Sequence, residues 1–175
     1  MRTIRTRSTT LTTMEAVVLG LLSEGERSGY DLLKRAEASV AYIWSPAKSH
    51  VYAVLPRLVD AGLARRRNVS QQGRPDKQLY RLTPAGRAAV RTWLEDMPPK
   101  NWDELMLKVF FAALADREPQ VAHLREFAET QRRLLAEYQT IEPKTRFGAL
   151  TLRYGLALMP ARLAWLDDAI EELSA

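Results

Sequence analysis

Five side chains that can donate or accept hydrogen bonds, or carry positive charge, fall within ten positions: Lys48, Ser49, His50, Tyr52 and Arg57. A second group follows, Gln71, Gln72, Arg74 and Lys77. An ammonium or guanidinium donates to phosphate oxygens or to the guanine edge, while hydroxyl, amide and imidazole groups both donate and accept. Such a set suits recognition of a polyanion with readable edges. Catalysis needs other sets, and they are missing: there is no glycine-rich phosphate loop, no supported Ser/His/Asp arrangement and no carboxylate pair on an apolar face. Asp167-Asp168 and Glu171-Glu172 read as a solvated acidic patch. The chain has no cysteine, which excludes disulfides, thiol chemistry and cysteine-held metals. Its two histidines, His50 and His123, are 73 residues apart, too few and too scattered to suggest a zinc site. The expectation is a protein without catalytic residues, metal or cofactor, and not an enzyme.

The elements that must position these residues are legible from caps and periodicity. Thr12 and Glu15 have capping-box spacing and open a helix to Leu22 whose face is Val17, Val18, Leu21 and Leu22. Ser28, with Asp31 three residues on, opens a second with Tyr30, Leu32, Leu33 and Ala36 toward the core. Ser45-Pro46 signals the start of a third, which Gly62 ends, with Val51, Val54, Leu55, Leu58 and Val59 along one face. That face is committed to the core, so Lys48, Ser49, His50, Tyr52 and Arg57 are left outward.

Two extended segments, 64–69 and 78–82, flank the polar turn 70–77, and Thr83-Pro84 opens a fourth helix to Asp96. Helix, helix, helix, strand, turn, strand, helix is the order of a winged helix-turn-helix. In that arrangement the third helix enters the major groove and the hairpin tip lies over the neighbouring minor groove or backbone. Arg74 suits a narrow minor groove. Arg65, Arg66 and Arg67 meet phosphate or solvent at the base of the wing. For Tyr52 core packing, and for His50 a neutral surface role, are the competing readings.

Charge divides in the same place. Residues 1–97 carry 16 Lys/Arg against 9 Asp/Glu; residues 98–175 carry 10 against 12. The basic half faces a polyanion and the other half has a different task. Met97-Pro98-Pro99-Lys100 marks the boundary. Three helical patterns follow, 103–114, 119–138 and 147–173. The last is apolar nearly all round, with Leu152, Leu156, Met159, Leu163, Trp165 and Leu166, so it needs cover on several sides, and a second subunit can supply it. The expected fold is mainly α with a small β-hairpin wing. It divides into a flexible basic arm 1–11, a DNA-binding domain 12–97 and a helical dimerisation domain 98–175. The longest wholly apolar run, Val109 to Ala115, is far shorter than the ~20 residues of a membrane span, and no charged-then-apolar leader opens the chain. A cytoplasmic protein is expected.

Three stretches resemble the PadR family of regulators: VVLGLLSEGERSGYDLLKRAE (17–37), WSPAKSHVYAVLPRLVDAGLARR (44–66) and GRPDKQLYRLTPAGRAAVRTWL (73–94). DELMLKVFF (103–111) and the apolar pattern from Leu152 to Leu166 resemble the family's longer branch. The resemblance implies a homodimeric repressor on double-stranded operator DNA. It also implies a small aromatic or phenolic effector, for which Trp93 and Trp102 beside the proline linker are candidates, core filling being the other reading. A winged-helix protein-interaction module, or a regulator of another winged-helix class, is the alternative. Two departures stand out. Many relatives have proline after the central tyrosine, where this chain has Ala53 and places Pro56 further on; and Pro160 interrupts the last helix. Both prolines lead us to expect kinks.

Overall fold

A computed structural model describes residues 11–41, 43–44, 47–71 and 74–175. The first helix, α1 (Thr13–Leu22), opens with the expected reciprocal cap: Glu15 N donates to Thr12 Oγ1, and Thr12 N donates to Glu15 Oε2 at 2.9 Å. Helix α2 (Gly29–Ser39) repeats the device with Ser28 and Asp31. Helix α3 (Lys48–Asp60) starts later than the sequence suggests. Its cap position is Ala47, which supplies no side-chain acceptor, and Ser45-Pro46 lie outside the described residues. At its other end Gly62 takes φ 73°, a conformation that favours glycine.

Strands β1 (Ala64–Gln71) and β2 (Arg74–Leu82) form an antiparallel hairpin with Arg66 opposite Tyr80 and Asn68 opposite Gln78. The turn before α2 adds a short third rung, Arg27 and Tyr80 exchanging backbone hydrogen bonds at 3.0 and 2.8 Å. Helix α4 (Pro84–Glu95) is capped by Thr83, whose hydroxyl accepts from Gly86 N. Gly86 has a steric reason as well: a Cβ there would lie 2.1 Å from the carbonyl oxygen of Leu63.

These elements form one compact unit ending at Ala115, and a second runs from Asp116 to Ala175. The first is a winged helix. Its core joins Val17, Leu19, Leu22 and Leu32 to Val54, Leu55 and Leu58 of α3 and to Val90 and Trp93 of α4. Leu11, assigned by sequence to the flexible arm, is buried in this core; the rest of the arm lies outside the described residues. Tyr30, placed by sequence on the buried side of α2, points outward, with Lys34 Nζ 4.9 Å from its ring centre.

The unit continues past Pro98-Pro99 because α5 (Trp102–Phe110) is bound into it. Lys108 is buried, donating to the carbonyl oxygens of Trp93, at 2.6 Å, and of Asp96, so it closes the end of α4. Glu104, 3.8 Å away, is its counter-charge and accepts from Thr13 Oγ1 of α1. Burial pushes the Lys108 ammonium below its ordinary pKa, the Glu104 charge opposing that. Phe111 seals the packing: a Cβ on Gly20 would come within 2.6 Å of its ring. A 3-10 turn, Ala112–Leu114, completes the unit.

In the second unit α6 (Arg117–Gln139) and α7 (Arg146–Ser174) pack together. Val121, Leu124 and Ala128 are buried on α6, and Met159, Leu163 and Leu166 on α7. Arg132 pairs with Asp167, and Arg125 Nη2 donates to Ser174 Oγ at 3.0 Å. Both α3 and α7 run without interruption through their prolines, Pro56 and Pro160.

Candidate nucleic-acid interface

The outward face of α3 follows from its inward one. Val51, Val54, Leu55 and Leu58, spaced three, four and seven residues apart, are buried. Lys48, Ser49, His50, Tyr52 and Arg57 are all exposed, as expected from sequence. Ala47 offers the first N–H groups of α3 no side-chain acceptor, and Lys48, Ser49 and His50 stand exposed at the positive end of the helix. Such an end suits phosphate, and those three side chains suit base edges or phosphate oxygens.

Tyr52 is both packed and partly exposed. Its ring lies against Gly29, where a Cβ would stand 2.6 Å from Cε1, yet the residue is half-exposed. The missing side chain at Gly29 therefore seats the ring and fixes where its hydroxyl points. Pro56 removes the donor that would have met the Tyr52 carbonyl, without ending the helix.

A hollow of about 300 Å³ lies between the start of α2, Tyr52 and the wing, lined in part by Tyr30, Asp76 and Lys77. Lys77 is not a free cation. Its Nζ is 2.8 Å from Asp31 Oδ2, and it is this pairing first, then the Ser28 hydroxyl, that holds the Asp31 carboxyl below the ordinary carboxylate range. The capping acid of α2 thus also ties down the wing. Gln71 and Arg74 pair across the end of the hairpin. Gln72 and Gly73, and the side chains of Gln71 and Arg74, lie outside the described residues.

The arginines at the base of the wing separate in role. Arg67 donates from Nε to Glu26 Oε1 at 2.8 Å, while Arg65 and Arg66, exposed like it, have no ion pair among the described residues. Sequence reasoning missed the partners Asp31 and Glu26, since nothing local links them to Lys77 and Arg67.

The first unit thus carries a basic helix face beside a two-stranded wing, and comparison with known proteins agrees. The family model described as the PadR-like transcriptional regulators matches residues 18–92, and the virulence activator alpha C-terminal model matches residues 103–174. Residues 18–92 are thus a domain of the PadR-like family of transcriptional regulators. That is a family of regulators and not of enzymes. The negative transcriptional regulator PadR of Bacillus subtilis is 32% identical over 108 residues, which span 60% of this chain and 59% of that protein. A probable transcriptional regulator of Mycobacterium tuberculosis is 25% identical over 179 aligned positions, 89% of this chain and 95% of its own. The crystal structure of Bacillus subtilis PadR in complex with operator DNA is 26% identical, covers 93% of this chain and 99% of that one, and superposes with a TM-score of 0.49.

The remaining candidates distribute unevenly. Trp93 is 2% exposed, its ring enclosed by the core and facing Lys108 Nζ at 4.9 Å. It packs as a core residue, in keeping with the core-filling reading of its indole. Trp102 is half-buried. On α7, Met159, Leu163 and Leu166 are buried within the single chain, and Leu152, Leu156 and Trp165 are half-buried. The uncovered stripe lies elsewhere: Phe147 (78% exposed), Leu150, Tyr154 (70%), Ala157, Ala161 and Ala164 are all exposed. Among the described residues, no helix is long and apolar enough to cross a membrane, and no cluster of His, Asp and Glu stands ready to hold a metal ion.

Proposed function

We propose that this regulator binds operator DNA sequence-specifically, in the cytoplasm, as a homodimer. In this reading residues 12–97 contact DNA and the helices after residue 98 pair the subunits. The observation that carries the DNA reading is the outward face of α3, where Lys48, Ser49 and His50 stand together and exposed at the start of the helix. Bases are read from there, with Tyr52 seated beside them and Arg57 further along. Arg74 and Gln71 at the wing tip meet the minor groove or backbone, and Lys77 touches phosphate only as far as Asp31 shares it.

Pairing rests on the exposed stripe of α7. Positions 147, 150, 154, 157, 161 and 164 alternate by three and four residues, the spacing of a coiled-coil seam. A helix of 29 residues with an uncovered seam of that spacing suits a second copy of itself. A two-fold dimer reads an inverted repeat with half-sites about one helical turn, ~10 bp, apart or a multiple of it. The similarity to a protein named a negative regulator favours repression. A small aromatic effector that releases the DNA would use Trp102 rather than the enclosed Trp93.

Anisotropy titrations with the protein's own promoter fragment and a random duplex, at several salt concentrations, test this reading. Steep loss of affinity with salt on both, with the promoter bound more tightly, supports it. Salt-insensitive or absent binding moves the protein-interaction alternative ahead. Footprinting that shows one asymmetric half-site counts against the dimer on an inverted repeat.

A further inference from the structure

At the foot of the wing, β1, β2 and the first turn of α4 enclose an open hollow of about 790 Å³. Five arginines line it: Arg65, Arg66 and Arg67 from β1, Arg81 from β2 and Arg87 from α4. The one carboxylate in its lining, Glu26, is already held by Arg67. Among the described residues, Arg65, Arg66, Arg81 and Arg87 have no ion pair, and all four are exposed. The hairpin register sets Arg65 directly opposite Arg81. Like charges in that cross-strand position destabilise a sheet, and an anion between them would turn repulsion into a clamp. Thr83 and Pro84 bring the positive end of α4 to the same hollow.

This place is far from the DNA-reading groups. The hollow's neighbour, lined by Val59, Gly62, Arg65 and Arg66, adjoins the C-terminal end of α3. Lys48 is at the other end of that 13-residue helix, about 20 Å along it at 1.5 Å per residue. Arg65 stands six residues before Gln71 in β1, again about 20 Å at 3.3 Å per residue.

We infer that this hollow binds a small oligophosphate anion, a ligand with two or more adjacent phosphoryl groups such as the triphosphate of a nucleotide. Its volume falls within the roughly 300–1,000 Å³ of small-ligand sites. A duplex spreads its charge, one per about 3.4 Å on each strand, over a convex surface. The hollow instead gathers arginines in a concave one, with Arg65 and Arg81 paired on one face of the hairpin and Arg87 in the same lining, and planar guanidiniums grip phosphoryl oxygens two at a time. The inference stands independently of the DNA reading.

Calorimetry of the full chain with inorganic triphosphate, ATP and inorganic phosphate tests it, beside a random-duplex titration. Wild-type protein binds triphosphate at one site per chain and far more tightly than phosphate. Arg65→Gln/Arg81→Gln weakens triphosphate about tenfold or more, since two charge-assisted contacts go, while Lys48→Gln leaves it unchanged. Arg87→Gln, on an exposed helix face, weakens it less and carries the test should the hairpin variant fail to fold. Equal affinities for ATP and triphosphate mean that the phosphate chain alone is recognised; tighter ATP means that the nucleoside adds contacts; both support the site. Triphosphate that binds no better than phosphate overturns it. So does triphosphate affinity unchanged in the arginine variants, or lost in Lys48→Gln. Arginine variants that lose random-duplex affinity while triphosphate binding is absent in the wild type assign these groups to the DNA footprint and overturn it too.

Discussion

Helices α3 and α7 solve the same problem with opposite surfaces. Each has a proline inside, runs on through it, and buries one stripe against its own unit. What α3 leaves uncovered is polar and basic: Lys48, Ser49, His50 and Arg57. Among what α7 leaves uncovered, beside charged residues such as Arg153 and Asp168, is an apolar stripe from Phe147 and Leu150 through Tyr154 to a run of alanines. A helix's buried stripe says where it sits in its own chain; the chemistry of the other stripe says what completes it. Guanidinium and ammonium groups stay solvated until a polyanion arrives, whereas an exposed phenyl ring is stabilised only when another apolar surface removes it from water.

The comparison breaks first on α7. Tyr154→Glu places a charge in the middle of the apolar stripe, and dimerisation should weaken by about 2–4 kcal/mol. Sedimentation should then move from about twice the 19.9 kDa chain mass toward the single chain, while Leu163→Ala, inside the unit, should lower thermal stability instead. A dimer untouched by Tyr154→Glu means that α7 pairs through another face.

Next comes the reading end of α3. Ser49→Ala and His50→Ala should each cost about 1–3 kcal/mol of discrimination between promoter and random duplex wherever a base contact is lost. Equal losses on both duplexes would make these residues phosphate contacts.

The seat of Tyr52 tests whether α3's outer face is pre-set. In Gly29→Ala the new methyl, 2.6 Å from Cε1, displaces the ring, at about 1–2 kcal/mol of stability by denaturant melts. The loss should shrink in Gly29→Ala/Tyr52→Ala, since the two residues are coupled; additive losses would show that they are not.

The smallest effect is on the wing. Lys77→Ala should weaken promoter and random duplex alike, with a salt slope reduced by less than one unit because Asp31 shares the charge. Removing the half-exposed pair should cost about 0.5 kcal/mol of stability at neutral pH. The Asp31 carboxyl is depressed in the folded state, so the pairing stabilises above the ordinary carboxylate value of about 3.9 and is lost as pH falls through the lower folded value. Melts of wild type and Lys77→Ala should therefore converge in acid. A gap that persists there would assign Lys77 a role apart from Asp31.

Much of this was legible in the chain alone. Thr12 with Glu15, Ser28 with Asp31, and Thr83 before Pro84 start three helices where spacing says they should. The apolar stripe of α3 leaves Lys48, Ser49, His50, Tyr52 and Arg57 facing out. Less was legible in α7. A helix apolar nearly all round has no face that spacing alone can single out, so Met159, Leu163 and Leu166 looked like a subunit seam although α6 packs in the same unit as they do.

Caps and stripes are local devices, joining residues three, four or seven apart, and so the amino-acid sequence by itself determined where helices begin and which side of α3 is wet. The tertiary structure decided what depends on distant partners. It bound Lys77 to Asp31 and Arg67 to Glu26, enclosed Trp93 beneath Lys108, carried the first unit past its prolines through Glu104 and Thr13, and gathered five arginines around one carboxylate. These contacts join positions more than ten and up to ninety-one residues apart, and only chain folding, not periodicity, brings such groups within reach of each other's charge.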